Sequence, residues 1–258
     1  MPRRTSTWTI ADKGLPDESI YADDTDFFST DEKVLQELEQ LIPPTIGTYN
    51  LNANKDKWEH LLLSIEKGAA WRRVKKLGSL LGDDEDVERR MALATVQFKA
   101  LERLWKRPQC ASLRARMRAY NAFVLPVLLY NASTWGISQS VVNKLDVLHR
   151  KHLRRVMGVA WPYRVSNKVL YAHCGAEPLG PVLRRLRWNL FGHVLRLHPT
   201  TPAQRAMDFY CDTAASSKQK GRAITTLPVL LFNEYHEYKQ QAKPSSYRQK
   251  PAVALREL

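Results

Sequence analysis

The sequence predicts an α+β fold, with hairpins and one helix at the front and a mainly helical remainder. Two changes along the chain carry that expectation. As far as Gly82, short apolar runs alternate with polar turns; from Val87 onward, apolar residues recur at helical spacing. Charge changes at nearly the same place: residues 1–88 hold 11 Lys/Arg against 18 Asp/Glu, whereas residues 89–222 hold 24 against 5. The formal net charge of +14 over 258 residues is therefore an acidic front joined to a strongly basic middle. Such a balance points to a polyanionic partner and to two functional parts.

Composition also excludes several classes. With 44% hydrophobic and 9% aromatic residues the chain is rich enough to build a core. Its longest apolar run, Ala122 to Tyr130, is about half of what a membrane span needs, so no membrane partner is expected. Met1-Pro-Arg-Arg4 has no apolar stretch behind it, which argues against secretion. Cys110, Cys174 and Cys211 are scattered and odd in number, as in a reducing compartment; nucleus or cytoplasm is the expected location.

Taken in order, residues 1–18 are polar and aperiodic. Ile20 to Phe28 reads as a β-hairpin around an acidic tip. Ser29-Thr30-Asp31-Glu32 has the pattern of a capping box, with Ser29 as N-cap. The helix it opens places Val34, Leu35, Leu38, Leu41 and Ile42 on one face and is expected to stop at Pro43-Pro44. Tyr49 to Leu51 and Lys57 to Leu63 are strand candidates, and Arg73 to Leu81 is a second hairpin.

Beyond the hairpin, Ala94, Phe98, Leu101 and Trp105 mark a helix that ends before Pro108. A second runs from Ser112 through Met117, Tyr120, Val124 and Leu128, with Pro126 expected to kink it. A third spans about Ser140 to Met157 and ends at Gly158; Val141, Leu145, Leu148, His152, Leu153 and Val156 form its apolar face. Ser166 caps a short helix over Asn167 to Cys174, and Pro181 suits the first turn of another. These elements give five parts: a flexible N-terminus at 1–18, an α+β part at 19–82, helical parts at 83–137 and 138–212, and a linker with a largely disordered tail at 213–258.

Adjacent carboxylates at a hairpin tip repel unless a cation lies between them, and a divalent metal is the usual solution. Alone, Asp23-Asp24 is more often a turn pair. Tyr21-Ala22-Asp23-Asp24 between apolar flanks, however, resembles the catalytic hairpin of reverse transcriptases. Leu51, Asn54, Lys57 and Glu59 match the next palm motif, from which Asn50 and Trp58 depart. Val74-Lys75-Lys76-Leu77-Gly78-Ser79 resembles the primer-grip hairpin. Ala122 to Tyr130 with Thr134-Trp135, then Leu186 to Arg196, then Lys220-Gly221-Arg222 with Thr225 to Leu227 resemble later segments of non-LTR (LINE-type) retrotransposon polymerases.

That resemblance implies a partial palm at 19–82, a thumb-like region at 83–137 and a basic connecting region at 138–212. It implies Asp23 and Asp24 as ligands of Mg2+ or Mn2+ and Tyr21 against the template–primer. Lys57 would neutralise or protonate the leaving group, the alternative being an exposed strand lysine; Leu77 and Gly78 would shape the turn at the primer end. The family needs a further aspartate from an earlier strand, and the contexts of Asp12 and Asp17 do not match it. The expectation is thus a fragment of an RNA-directed DNA polymerase, inactive alone, whose partners are RNA, DNA and an N-terminal polymerase segment.

The basic middle supplies candidate phosphate contacts: Arg103, Lys106 and Arg107; Arg114 and Arg118, with Arg116 between them; Lys151, Arg154 and Arg155; Arg184, Arg185 and Arg187. Trp135, Trp161, Tyr163, Tyr171 and Trp188 are candidates for stacking on bases, with core packing favoured for most. Cys174, His193, His198 and Cys211 have no zinc-knuckle spacing, and zinc is not expected. The alternative function is a non-catalytic nucleic-acid-binding module made of the thumb-like and basic helices.

Overall fold

The computed structural model describes residues 18–21, 24–63, 69–107, 109, 111–216 and 225–242. The chain divides into two compact units, Met1–Leu62 with Val194–Ser216, and Leu63–His193 with Ser217–Leu258. The described residues are mostly helical, with two short antiparallel hairpins, so the α+β expectation holds at that level.

In the first unit, β1 (Glu18–Tyr21) pairs with β2 (Asp24–Phe27), Tyr21 standing opposite Asp24. Helix α1 (Glu32–Gly47) follows. Its cap is Asp31, not Ser29: the Asp31 carboxylate accepts from the Lys33 amide at 2.9 Å, while Ser29 Oγ accepts from the Asp31 amide at 3.0 Å. A carboxylate suits the positive end of a helix better than a hydroxyl does. Pro43 and Pro44 lie inside α1 and do not end it. Their fixed φ is close to helical, and Thr45 Oγ1 donates to the Leu41 carbonyl at 2.7 Å within the turn they interrupt.

The strands expected at Tyr49 to Leu51 and Lys57 to Leu63 are absent. Asn50 turns the chain at φ +58°, and a 3₁₀ turn covers Lys55–Lys57. A strand needs a neighbour to complete its hydrogen bonds, and among the described residues each hairpin pairs only with itself. Helix α9 (Pro202–Ser216) completes this unit, so residues 213–216 of the expected linker are helical.

In the second unit, β3 (Lys75–Lys76) and β4 (Ser79–Leu80) form the tight hairpin the sequence announces. Helix α2 (Asp83–Ala100) and the short α3 (Glu102–Lys106) come next, then α4 (Leu113–Ala119), capped by Ser112. The expected disturbance at Pro126 is a π turn over Tyr120–Val124, in which the Leu125 amide bonds to the Tyr120 carbonyl, before α5 (Leu125–Leu128). Pro126 has no amide to offer to Ala122, and the chain absorbs the loss by widening one turn. Tyr120, Val124 and Leu128 remain fully buried through it.

Helix α6 (Gln139–Met157) ends where Gly158, at φ +83°, lets its own amide reach Arg155 and that of Val159 reach Arg154. Its buried face is Val142, Leu145, His149, His152, Leu153 and Val156, rotated slightly from the expected one because Val142 and His149 lie deeper than Val141 and Leu148. Ser166 caps α7 (Asn167–Cys174) as expected, and α8 (Leu179–Leu195) follows. Helix α10 (Leu227–Ala242) occupies part of the expected tail. Leu231 and Tyr235 are buried in it, and a Cβ added to Gly136 would lie 2.9 Å from the Leu227 amide.

Two polar arrangements organise this unit. The first is aromatic: Phe98 stacks on His152 at 4.0 Å between ring centres and on Trp105 at 5.1 Å, and the Tyr120 hydroxyl meets His149 Nδ1 at 2.9 Å. Burial lowers both histidines to about 4, so they are neutral in this core. The second is ionic. Asp86, 1% exposed, accepts from the Leu80 amide at 2.9 Å and from Trp135 Nε1 at 3.1 Å, and lies 3.5 Å from Arg90 Nε. Arg90 in turn donates to Ser79 Oγ and the Gly78 carbonyl. The acidic start of α2 is therefore largely structural: Asp83 accepts from the Gly136 amide, and Glu85 takes Arg72 at 2.8 Å.

Candidate nucleic-acid interface

The polymerase-like residues of the first unit are only partly described. Asp23 lies outside the described residues, as do the side chains of Tyr21 and Asp24; the backbones of those two are the paired ends of β1 and β2. Lys57 is exposed in its 3₁₀ turn and is not a strand residue. Among the described residues no three His, Cys, Asp or Glu side chains form a group able to hold a metal. Of the acids that open α2, Asp83, Glu85 and Asp86 are already bonded as above, so those three do not fit the role of a metal shell.

Leu77 and Gly78 form the turn of β3–β4, with φ of +46° and +83°. Two positive values are what a two-residue hairpin turn requires, but a leucine in that region is costly. Three side chains hold it. The Tyr130 hydroxyl donates to the Leu77 carbonyl at 2.8 Å, Arg89 donates to the Gly78 carbonyl at 2.8 Å, and Arg90 reaches the same carbonyl while lying 4.2 Å above the Tyr130 ring. The Leu77 side chain is left exposed. The turn is rigid at its base and presents an apolar side chain at its tip.

The basic residues sort into two groups by what surrounds them. On α8, Arg187 is a correction to the phosphate-contact set: it is 6% exposed and bonded to Glu234 of α10, which also accepts from Trp188 Nε1 at 2.8 Å. A guanidinium enclosed with its carboxylate has no face for phosphate. Arg184 and Arg185 are exposed but meet Glu237 at 2.9 Å and Glu177 at 2.5 Å. Trp188 is thereby tied to Glu234, and Trp135 lies in the core.

Around the C-terminal end of α6 the balance is different. Arg116 of α4 points inward and donates to the Val156 carbonyl, which fixes α4 against α6 and leaves Arg114 and Arg118 exposed one turn apart. Glu102 of α3 lies 2.9 Å from Lys106 and 3.9 Å from Arg155, which brings Arg103, Lys106 and Arg107 to the same end. Those cations hold the Glu102 carboxyl below its usual range, the Lys106 hydrogen bond most of all. Arg154 donates to Asn167 Oδ1 at 2.7 Å, joining α6 to the start of α7. Lys151 and Arg155 are exposed on one stripe of α6. Residues 147–176 contain Arg150, Lys151, Arg154, Arg155, Arg164 and Lys168 and no acid at all.

Arg164 and Lys168 belong to this cluster and were not among the expected contacts. Their signal was the acid-free run rather than any helical spacing. Among the described residues no helix is long and apolar enough to cross a membrane. Comparison of the chain with protein families, curated proteins and solved structures gives no match.

Proposed function

We propose that the chain is the late-palm, thumb and connecting part of a non-LTR retrotransposon reverse transcriptase, and that its second unit grips an RNA–DNA duplex. The observation that carries this reading is the Leu77-Gly78 turn. A leucine held at φ +46°, anchored through Tyr130, Arg89 and Arg90 and exposed at its tip, is strain maintained by surroundings that fix it. It falls on the residues that resemble a primer grip, and the same unit carries the acid-poor basic end of α6. In the complete enzyme, Mg2+ or Mn2+ held by Asp23 and Asp24 would supply the nucleotidyl-transfer chemistry.

The duplex reading is tested by fluorescence anisotropy of the full chain with a labelled RNA–DNA hybrid over a salt series. Binding is expected to weaken linearly on logarithmic axes as phosphate-bound counterions are released. The combined Arg114→Glu, Lys151→Glu and Arg155→Glu variant is expected to bind at least about tenfold more weakly, with a shallower slope. A wild-type chain that ignores the hybrid at low salt overturns the proposal. Primer extension with Mg2+, abolished in Asp23→Ala, separates an enzyme from a non-catalytic module.

A further inference from the structure

The connection between α6 and α7 carries two aromatic side chains with no place in the core. Trp161 is 89% exposed and Tyr163 is 79% exposed, whereas Trp105 and Trp135 are buried. An indole left in water forgoes a large gain from burial, so an exposed pair one residue apart needs a reason beyond folding.

The loop bearing them is short and tied at both ends. At its start, the Gly158 and Val159 amides bond back to Arg155 and Arg154; within it, the Tyr163 amide closes a turn on the Ala160 carbonyl at 3.0 Å. At its end, Ser166 caps α7, and Arg154 bridges to Asn167 across the loop's base. Val165 packs against the core between these ties. The aromatic pair is therefore displayed from a fixed base.

The surroundings are strongly basic, with Glu102 3.9 Å from Arg155. Arg155, Arg164 and Lys168 are exposed, and residues 147–176 contain no Asp or Glu. Exposed flat rings interleaved with cations in an acid-free run have the chemistry that unpaired nucleotides require: a π face for the base and a cation for the phosphate beside it. A duplex offers its phosphates but keeps its bases stacked on each other, so it has no use for the rings. A purely electrostatic contact would need the cations alone.

We propose that Trp161 and Tyr163 form a stacking platform for single-stranded nucleic acid, with Arg155, Arg164 and Lys168 contacting the flanking phosphates. The platform rests on the nucleic-acid reading of this unit and extends it, because it assigns unpaired template or transcript, not duplex, to the α6–α7 loop.

The test compares the full chain with its Trp161→Ala/Tyr163→Ala variant on three probes: an oligo-dT of about 20 nucleotides, an RNA–DNA hybrid of similar length, and vesicles of phosphatidylcholine with phosphatidylserine. Stacking losses predict weakening of oligo-dT binding by about tenfold or more, with the salt slope unchanged. Hybrid binding should change by less than about twofold, since its phosphate contacts remain. Arg155→Glu/Arg164→Glu/Lys168→Glu should weaken oligo-dT binding and flatten its salt slope. Equal losses on oligo-dT and hybrid, or no loss on either, overturn the platform while the duplex reading survives. A wild-type chain that binds neither nucleic acid at low salt overturns both readings. Vesicle binding lost in the aromatic variant, with oligo-dT binding intact, makes the loop a membrane contact and also overturns the platform. Both positions are exposed, so unchanged thermal melting is expected and checks that folding is not the cause.

Discussion

The front of the chain and its helical middle use apolar residues differently. Helix α1 has an apolar stripe, yet none of its side chains is buried, and Val34, Leu41, Tyr49, Leu51 and Leu62 are all exposed. The second unit builds one continuous core from α2 to α8, with aromatic and ionic networks enclosed in it. The residues that resemble a catalytic hairpin therefore belong to the unit in which α1 buries no side chain, whereas the enclosed core lies in the unit that carries the second hairpin.

The sharpest way to break this comparison is Asp86→Ala. It strips a buried carboxylate from Arg90 and leaves the Leu80 amide and Trp135 indole without acceptors. An uncompensated buried charge of this kind costs on the order of 3–5 kcal/mol. Urea unfolding of the full chain measures it, and a loss below about 1 kcal/mol would show that the network is not what secures the second hairpin.

Acid provides the next test. In the unfolded chain His149 and His152 take up protons near their ordinary 6.5, but in the folded core each resists until about 4. Between those values the unfolded chain binds more protons, so stability is fully present above 6.5 and falls as the pH drops toward 4. Each histidine contributes a loss on the order of 3 kcal/mol across that window. His152→Phe keeps the stack on Phe98 and removes one titrating ring, so the urea midpoint of that variant should fall less steeply between pH 6.5 and 4.5. A slope equal to the wild type's would place the acid sensitivity elsewhere.

The smallest effect belongs to the front. Leu41→Ser replaces an exposed side chain of α1 and should change stability by no more than about 0.5 kcal/mol by the same measurement. A loss comparable to that of Asp86→Ala would show that the apolar stripe is packed in solution.

What could be read in advance divides along physical lines. Gly158, Ser166 and the Leu77-Gly78 turn were legible because a cap or a tight turn is decided by a few neighbouring residues, although the same reasoning placed the first cap at Ser29 where Asp31 serves. The strands expected at Tyr49 and Lys57 were not, because a strand exists only with a partner that local sequence cannot supply. Arg187 was misjudged for a similar reason: its environment depends on Glu234, which belongs to a helix that composition had marked as tail. Asp86 looked like one more acid in an acidic front. Only its fourfold spacing to Arg90, on a helix otherwise apolar on that face, hinted at an interior pair.

The π turn at Tyr120–Val124 has a consequence for phase. In a regular helix, residues four apart drift about 40° around the axis, so three residues at that spacing would spread over about 80° of surface. The wider turn advances less per residue and cancels much of the drift, which is how Tyr120, Val124 and Leu128 all stay buried. The turn therefore works as an angular correction of one residue. Deleting Ala122, itself exposed, should restore regular winding; Val124 would then stand about 300° past Tyr120 in place of nearly a full turn, so everything downstream would rotate by roughly 60° relative to Tyr120. Tyr130, the residue that holds the Leu77 turn, lies in the rotated part; the strained hairpin would lose its fastening to a change made without touching it.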